Sequence, residues 1–182
     1  TMPERHFTPA IFEFLRELAA NNDREWFQAN KDRYLADLRD PCLRFITDFG
    51  ARLARISPYF RADPRPPGGS LFRIYRDTRF SKDKSPYKTH IGIQFRHRAS
   101  GDVHAPGFYL HLEPREVFVG IGVWHPDRES LSRIRKAIDE DPAGWKKARN
   151  HRSFKRTFEL SGESLKRAPK GYDPEHAMIE DL

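Results

Sequence analysis

The fold is decided by residues 107–124, which read Gly-Phe-Tyr-Leu-His-Leu-Glu-Pro-Arg-Glu-Val-Phe-Val-Gly-Ile-Gly-Val-Trp. Apolar residues occupy every second position on both sides of a short connection, Glu113 to Glu116. A period of two is typical of a strand with one buried face, and so short a connection joins neighbouring antiparallel strands. The stretch therefore predicts a β-hairpin with strands over 107–113 and 117–124.

The same period of two appears twice upstream of this hairpin. Residues 71–76 read Leu-Phe-Arg-Ile-Tyr-Arg, and residues 90–97 place Ile91, Ile93 and Phe95 on one face. Both stretches predict strands. Together with the hairpin they predict an antiparallel β-sheet of about four to six strands, because the connections are too short for parallel crossovers.

Apolar residues at spacings of three and four predict helices before this sheet, over residues 8–57. Thr8-Pro9 has the residues of a helix start, and Asn22 with Glu25 forms a capping-box pattern for a second helix. Pro41 predicts a break, after which a third helix runs to Ile56. The proline- and glycine-rich stretch 61–70 predicts a loop between the helices and the sheet.

Helical spacing returns after the sheet, over residues 127–182, where Asp141-Pro142 predicts the start of a short helix and Phe158 with Leu160 a short strand. Helices, then strands, then helices indicate an α+β fold, with N-terminal and C-terminal helices packed around the sheet. A length of 182 residues fits a single domain over 1–182. We expect the sheet to pack against Phe45, Phe49 and Leu53 through the apolar face formed by Ile91, Ile93, Phe95, Phe108, Leu110, Leu112, Val119 and Ile121.

Composition narrows the class of protein. The only cysteine is Cys42, so a disulfide within the chain is excluded, which fits a reducing, cytoplasmic compartment. Cys42 lies on an apolar helix face, and we expect it to be buried. The sequence has no secretion signal and no apolar run of membrane-spanning length, so we expect no membrane association. A formal net charge of +7 favours contact with polyanions only weakly. Nothing in the sequence indicates an oligomeric state.

The sequence lacks the motifs of several kinds of functional site. His97, His104 and His111 lie on separate elements, and no histidine pair has the one-turn spacing of a helical zinc site, although His111 and Glu113 share a strand face. We therefore predict no metal and no cofactor. A nucleophile elbow and the common nucleic-acid motifs are also missing from the sequence.

The segment most suited to binding chemistry is residues 73–90, where only Asp77 and Asp83 oppose a run of cations. Guanidinium and ammonium groups bind phosphate and carboxylate through charge-assisted hydrogen bonds. We predict that Asp77 orients an arginine and that Tyr87 closes the site. The predicted anion-binding cations are Arg76, Arg79, Lys82, Lys84 and Lys88.

Two functions remain open for this segment. The first is a small-molecule site for a phosphate- or carboxylate-bearing ligand, whether or not the protein is an enzyme. The alternative is a basic binding module for nucleic acid or an acidic protein. A pocket requires the cations to converge, whereas a binding face spreads them over a convex surface, and the interleaved Asp77 and Asp83 favour the pocket.

Four stretches resemble, in order along the chain, the domain of unknown function 2461 family. They are Asn21 to Tyr34, Arg76 to Lys88, Phe118 to Pro126, and Ala168-Pro-Lys-Gly-Tyr172. The resemblance implies an intracellular protein of bacteria and fungi whose family has no assigned activity. It also implies a further helical stretch after Leu182, so we expect the C-terminus to be truncated. Glu175-His176-Ala177 departs from the family's Asp-His-Pro.

Overall fold

The computed structural model describes residues 5–98 and 106–182, so the prediction about His104 lies outside the described residues. The chain divides into two compact units, Thr1–Trp124 and His125–Leu182. The assignment of residues 1–182 to a single domain stays a prediction.

The first unit begins with helix α1, Pro9–Ala20, which starts after Thr8 as predicted. Helix α2, Arg24–Ala29, is capped by Asp23, whose Oδ1 accepts the Trp26 N–H at 2.8 Å. The prediction that Asn22 caps this helix is therefore wrong by one residue. The chain continues through a short helix α3, Lys31–Arg33.

Pro41 does not break the helical path, contrary to the prediction. Residues Tyr34–Arg39 are π-helical and lead directly into helix α4, Asp40–Ile56. In an α-helix a proline ring collides with the carbonyl four residues back. The wider π-helical turn relieves that collision. Its hydrogen bonds span five residues, as in the bond from the Asp40 N–H to the Leu35 carbonyl. Cys42 on α4 is buried as predicted, and burial raises the pKa of its thiol to about 12.

The sheet has four antiparallel strands in the order β1-β2-β3-β4, which confirms the predicted α+β fold with its antiparallel sheet. The hairpin is confirmed as the β3–β4 pair, and the predicted strand 90–97 is β2. The strands are β1 Phe60–Arg61, β2 Ile91–His97, β3 Gly107–Glu113 and β4 Glu116–Gly122.

The predicted strand over 71–76 is wrong. Leu71 makes a single bridge to Ile93, and the Phe72 N–H donates to the Gly92 carbonyl at 2.9 Å. The chain then leaves the sheet, and Tyr75 bridges Tyr87 instead. Beyond Phe72 the extended chain pairs with residues 86–88 rather than with β2.

The core forms between the helices and one face of the sheet. Leu53 on α4 is buried, and the Phe49 and Phe95 ring centroids lie 5.1 Å apart, as the predicted packing requires. Val119 and Ile121, at 53% and 55% exposure, were wrongly predicted to be buried. They lie on the edge strand β4, beyond the reach of the helices that cover β2 and part of β3. The fully or nearly fully buried members of the core include Ile11, Phe14, Leu15, Leu18, Ile91, Ile93, Phe95 and Leu112.

The second unit contains helices α5 Arg128–Glu140, α6 Pro142–Arg149 and α7 Arg152–Thr157. Asp141 caps α6 as predicted, accepting the Gly144 N–H at 2.8 Å. The predicted strand at Phe158 and Leu160 is wrong, since this stretch is irregular. A 3-10 turn, Ile179–Asp181, ends the unit and is held to α6 by an ion pair between Arg149 and Asp181.

Among the described residues, no helix combines the length and the apolar character needed to cross a membrane.

Candidate anion-binding cleft

The basic segment 73–90 forms a loop whose two ends pair with each other, and it has two parts. Its legs, residues 73–76 and 86–88, pair with each other, because the Arg76 N–H donates to the Pro86 carbonyl at 2.9 Å and the Lys88 N–H to the Ile74 carbonyl at 2.7 Å. Its tip, residues 77–85, connects them. The legs form a short two-stranded ladder that presents the segment's side chains at fixed positions.

Asn22 joins the legs to the helices. Its Nδ2 donates to the Tyr87 carbonyl at 3.0 Å, and its Oδ1 accepts the Tyr87 N–H at 3.0 Å. One side chain therefore satisfies both backbone polar groups of a residue 65 positions away. This pairing explains why Asp23, and not Asn22, caps α2.

The Tyr87 ring completes the attachment. It is nearly fully buried and stacks on the Phe27 ring of α2 with a centroid separation of 4.1 Å. The Tyr75 ring packs at 5.4 Å from it. Burial raises the pKa of the Tyr87 hydroxyl, the neighbouring Tyr75 adds to the rise, and the positive charge of Arg24 opposes it. The Arg24 guanidinium is therefore part of the electrostatic environment of Tyr87.

A cleft of about 360 Å³ lies between α2 and this segment. Arg24 and Gln28, one helical turn apart on α2, line one side, and residues of the legs and of the start of the tip line the other. Within the described parts of the chain, Arg24 makes no hydrogen bond or ion pair. The complete lining is Arg24, Gln28, Tyr75, Arg76, Thr78, Pro86 and Tyr87.

Arg76 is the other cation of this cleft. Its guanidinium forms an ion pair with Asp83 and lies 3.5 Å from the Ser81 hydroxyl. The Arg76 side chain is 28% exposed, so it is held more firmly than a free surface arginine. A guanidinium carries five N–H donors, so these contacts leave donors for a ligand. Hydrogen bonds from Ser85 and from Arg76 hold the pKa of Asp83 well below its usual range.

Asp77 forms an ion pair with Arg79, and its part in an anion site stays a prediction. Arg79 Nη2 lies 2.7 Å from Asp77 Oδ2, and Arg79 Nε lies 3.0 Å from Asp77 Oδ1. The hydrogen bonds from Arg79 lower the pKa of Asp77 to about 2. The Arg79 side chain is 77% exposed and belongs to the tip, outside the cleft lining.

The predicted lysines also lie outside the lining. Lys82 and Lys84 are exposed on the tip, and Lys84 Nζ donates to the Thr78 carbonyl at 2.9 Å. Lys88 Nζ donates to the Arg73 carbonyl at 3.0 Å and lies 5.5 Å from the centroid of the Phe72 ring. Burial, with a smaller effect from Arg73, lowers the pKa of Lys88. These contacts give Lys84 and Lys88 structural roles within the segment.

The structure thus brings together Arg76 and Tyr87 from the predicted set, and adds residues that the sequence reasoning missed. Arg24 and Gln28 share one face of α2, and the signals that point to them are that spacing and their place in the stretch Asn21 to Tyr34. A second, smaller cleft of about 160 Å³ also contains arginines, but Arg65 there pairs with Asp63 at 2.6 Å and Arg96 Nε donates to Gln94 Oε1 at 3.1 Å.

Of three comparisons with known proteins, only the one with family models finds a match. Neither the curated proteins nor the solved structures contain a match to this chain. A family model described as a conserved hypothetical protein, DUF2461, matches residues 10–182, which is nearly the whole chain. The resemblance carried by the quoted stretches is therefore confirmed, and the chain belongs to the DUF2461 family.

Proposed function

We propose that the protein binds a small ligand bearing a phosphate or carboxylate group in the cleft between α2 and segment 73–90. The observation that carries the proposal is the shared cleft of Arg24 and Arg76, two guanidinium groups from elements far apart in sequence. Arginine binds such anions through paired, charge-assisted hydrogen bonds. Arg24 has no competing partner in the described residues, so its donors are available to a ligand.

The other lining groups suit recognition of a small polar molecule. Gln28 and Thr78 offer an amide and a hydroxyl, which donate and accept hydrogen bonds, and the Tyr75 and Tyr87 rings offer apolar surface. A volume of about 360 Å³ lies within the range of small-molecule sites, roughly 300–1,000 Å³. We propose Arg24 and Arg76 as the anion-binding pair, with Gln28 and Thr78 as the groups that discriminate between ligands.

The remaining predicted residues take other parts in this proposal. Asp77 and Arg79 form a pair of their own at the tip, and Lys82, Lys84 and Lys88, outside the cleft lining, add to the surrounding positive potential. A potential of this kind raises the rate at which anions arrive without fixing where they bind.

A thermal-shift screen tests the proposal with inorganic phosphate, nucleotides, sugar phosphates, dicarboxylates and short single-stranded nucleic acids. A ligand that binds only the native state raises the melting temperature as its concentration increases. We expect at least one small anion to do so. Loss of a charge-assisted hydrogen bond costs about 1.5–3 kcal/mol, so Arg24→Ala should weaken that ligand about tenfold or more.

Arg79→Ala is the matched control, because it removes the same charge from a residue outside the cleft lining. It should leave the small-anion shift unchanged. If Arg24→Ala and Arg79→Ala weaken binding equally, or if no small anion shifts the melting temperature, the cleft is not the site. A shift produced only by nucleic acid, and lost steeply with added salt, would support the basic binding module instead.

A further inference from the structure

The sheet face opposite the helical core carries a group of side chains that the cleft does not use. His111 and Glu113 lie two residues apart on β3, and Glu116 is the first residue of β4, paired across the hairpin with Glu113. One ligand atom from each of the three lies within 4.8 Å of the others. In the described part of the chain, these residues form the only such group of three.

The His111 ring is held in a fixed orientation. It stacks on the Phe118 ring at 4.8 Å with an 11° angle between the planes, and on the His90 ring at 4.7 Å. Its Nδ1 lies 3.1 Å from the Tyr109 hydroxyl, and its Nε2 lies 3.3 Å from Glu113 Oε2. One ring nitrogen therefore has a positioning partner while the other faces the carboxylates.

A histidine held through one ring nitrogen, with the other nitrogen near carboxylates, is common in protein metal sites. A histidine that binds a metal through one ring nitrogen commonly donates its other N–H to a neighbouring oxygen, which fixes the tautomer and the orientation of the ring. Here the Tyr109 oxygen can accept the Nδ1 proton of His111, which leaves the Nε2 lone pair for a metal. Glycine at position 92 makes room for Tyr109, since a Cβ there would lie 2.9 Å from the Tyr109 hydroxyl oxygen.

The two glutamates supply the second reason for a cation. Like charges directly opposite each other on neighbouring strands are destabilising. Glu113 and Glu116 form such a pair, and none of the described lysines or arginines makes an ion pair with either. His111 is the one described partner of Glu113, and Glu116 has none. A divalent cation between the carboxylates would neutralise both.

We propose that His111, Glu113 and Glu116 bind a divalent transition-metal ion, with Zn²⁺ as the best fit. One imidazole nitrogen and two carboxylate oxygens form a ligand set that Zn²⁺ accepts at about 2.0–2.2 Å from each atom. Mg²⁺ prefers oxygen ligands alone and keeps most of its waters. The Glu116 side chain is exposed and can rotate to close the site. Three protein ligands leave a fourth position for water or an incoming group.

The test is a calorimetric titration of the metal-free full chain with Zn²⁺, repeated with Mg²⁺. We expect one Zn²⁺ per chain, bound more tightly than Mg²⁺, and a melting temperature that rises with Zn²⁺ concentration. Glu116→Gln should abolish this one-to-one binding while the circular dichroism spectrum stays unchanged, because Glu116 makes no contact that the fold needs. Glu113→Gln should have the same effect. Tyr109→Phe should weaken binding by about tenfold or more, as expected when a positioning partner is lost.

Asp48→Asn is the matched control. Asp48 Oδ2 lies 3.2 Å from His6 Nε2, which makes a histidine–carboxylate pair without a third ligand among the residues that the structure describes. This substitution should leave the Zn²⁺ stoichiometry and affinity unchanged. The proposal is overturned if the protein binds no Zn²⁺ in a one-to-one ratio, if binding survives both glutamate substitutions, or if Mg²⁺ binds as tightly as Zn²⁺. In the first two cases His111 and Glu113 form only a hydrogen-bonded pair, and in the third the carboxylates attract cations without selecting a transition metal.

Discussion

The legs and the tip of segment 73–90 each carry three cationic residues but have different surroundings. In the legs, Tyr87 is buried against α2 and Arg76 lines the cleft, so their positions depend on distant parts of the chain. In the tip, Asp77 binds Arg79 and Asp83 binds Ser85, each two residues away. The comparison teaches that a run of cations in sequence is not a single site, because Arg79 is held by its neighbour Asp77 in the tip, whereas Arg76, although it pairs with Asp83, lines the cleft.

The largest expected effect is on the packing beneath the legs. Phe27→Ala removes a nearly fully buried ring that stacks on Tyr87, and it should lower the free energy of unfolding by about 3–5 kcal/mol. Urea denaturation measures this change. Phe80→Ala, at the tip, removes a ring that is 95% exposed and should have almost no effect. Equal losses in the two variants would contradict the distinction between legs and tip.

A smaller effect is expected from the link between α2 and the legs. Asn22→Ala leaves the N–H and the carbonyl of Tyr87 without their partner, and it should cost about 1–3 kcal/mol. The same variant should weaken anion binding in the cleft, because the legs lose their register against Arg24. Asn21→Ala, which removes only an exposed bond to the Glu17 carbonyl, serves as the control in both assays. If Asn22→Ala matches this control, the link does not position the cleft.

The smallest effect concerns the tip itself. Arg79 lowers the pKa of Asp77 to about 2, whereas an unfolded chain has a value near 3.9. A lowered carboxyl pKa contributes stability above the unfolded value, and this contribution is lost as the pH falls from about 4 through about 2. In Arg79→Ala, an NMR titration should show the Asp77 pKa returning towards about 3.9, with no measurable change in melting temperature at neutral pH. A pKa that stays near 2 would assign the shift to another group.

The sequence predicts the sheet well because strand periodicity is local. The hairpin of β3 and β4 and the strand β2 follow from alternation and a short connection. The same alternation could not show that Ile93 is buried while Val119 is 53% exposed, because that difference depends on which strand lies at the edge of the sheet. The wrong prediction of a sheet strand over residues 71–76 has a similar cause, because the residues of an extended segment do not determine which segment it pairs with.

The site was less predictable for the same reason. Among the residues that line the cleft, the sequence predicts Arg76 and Tyr87 because they belong to a conspicuous cationic segment. Arg24 was missed because α2 meets the legs through the contacts of Asn22 and Phe27 with Tyr87, and no local pattern encodes those contacts. Likewise, Glu113 and Glu116 lie opposite each other because of the strand register across the hairpin. The sequence shows that His111 and Glu113 share a strand face, but it does not show that Glu116 joins them.

The most direct test of the central claim is an NMR titration of the arginine Nε–H resonances with inorganic phosphate, assigned through single arginine substitutions. The account predicts that the resonances of Arg24 and Arg76 shift and saturate together, while that of Arg79 stays in place because Asp77 already binds it. Equal, non-saturating shifts of all three resonances would mean that phosphate only screens the basic surface, and would contradict a binding site in the cleft.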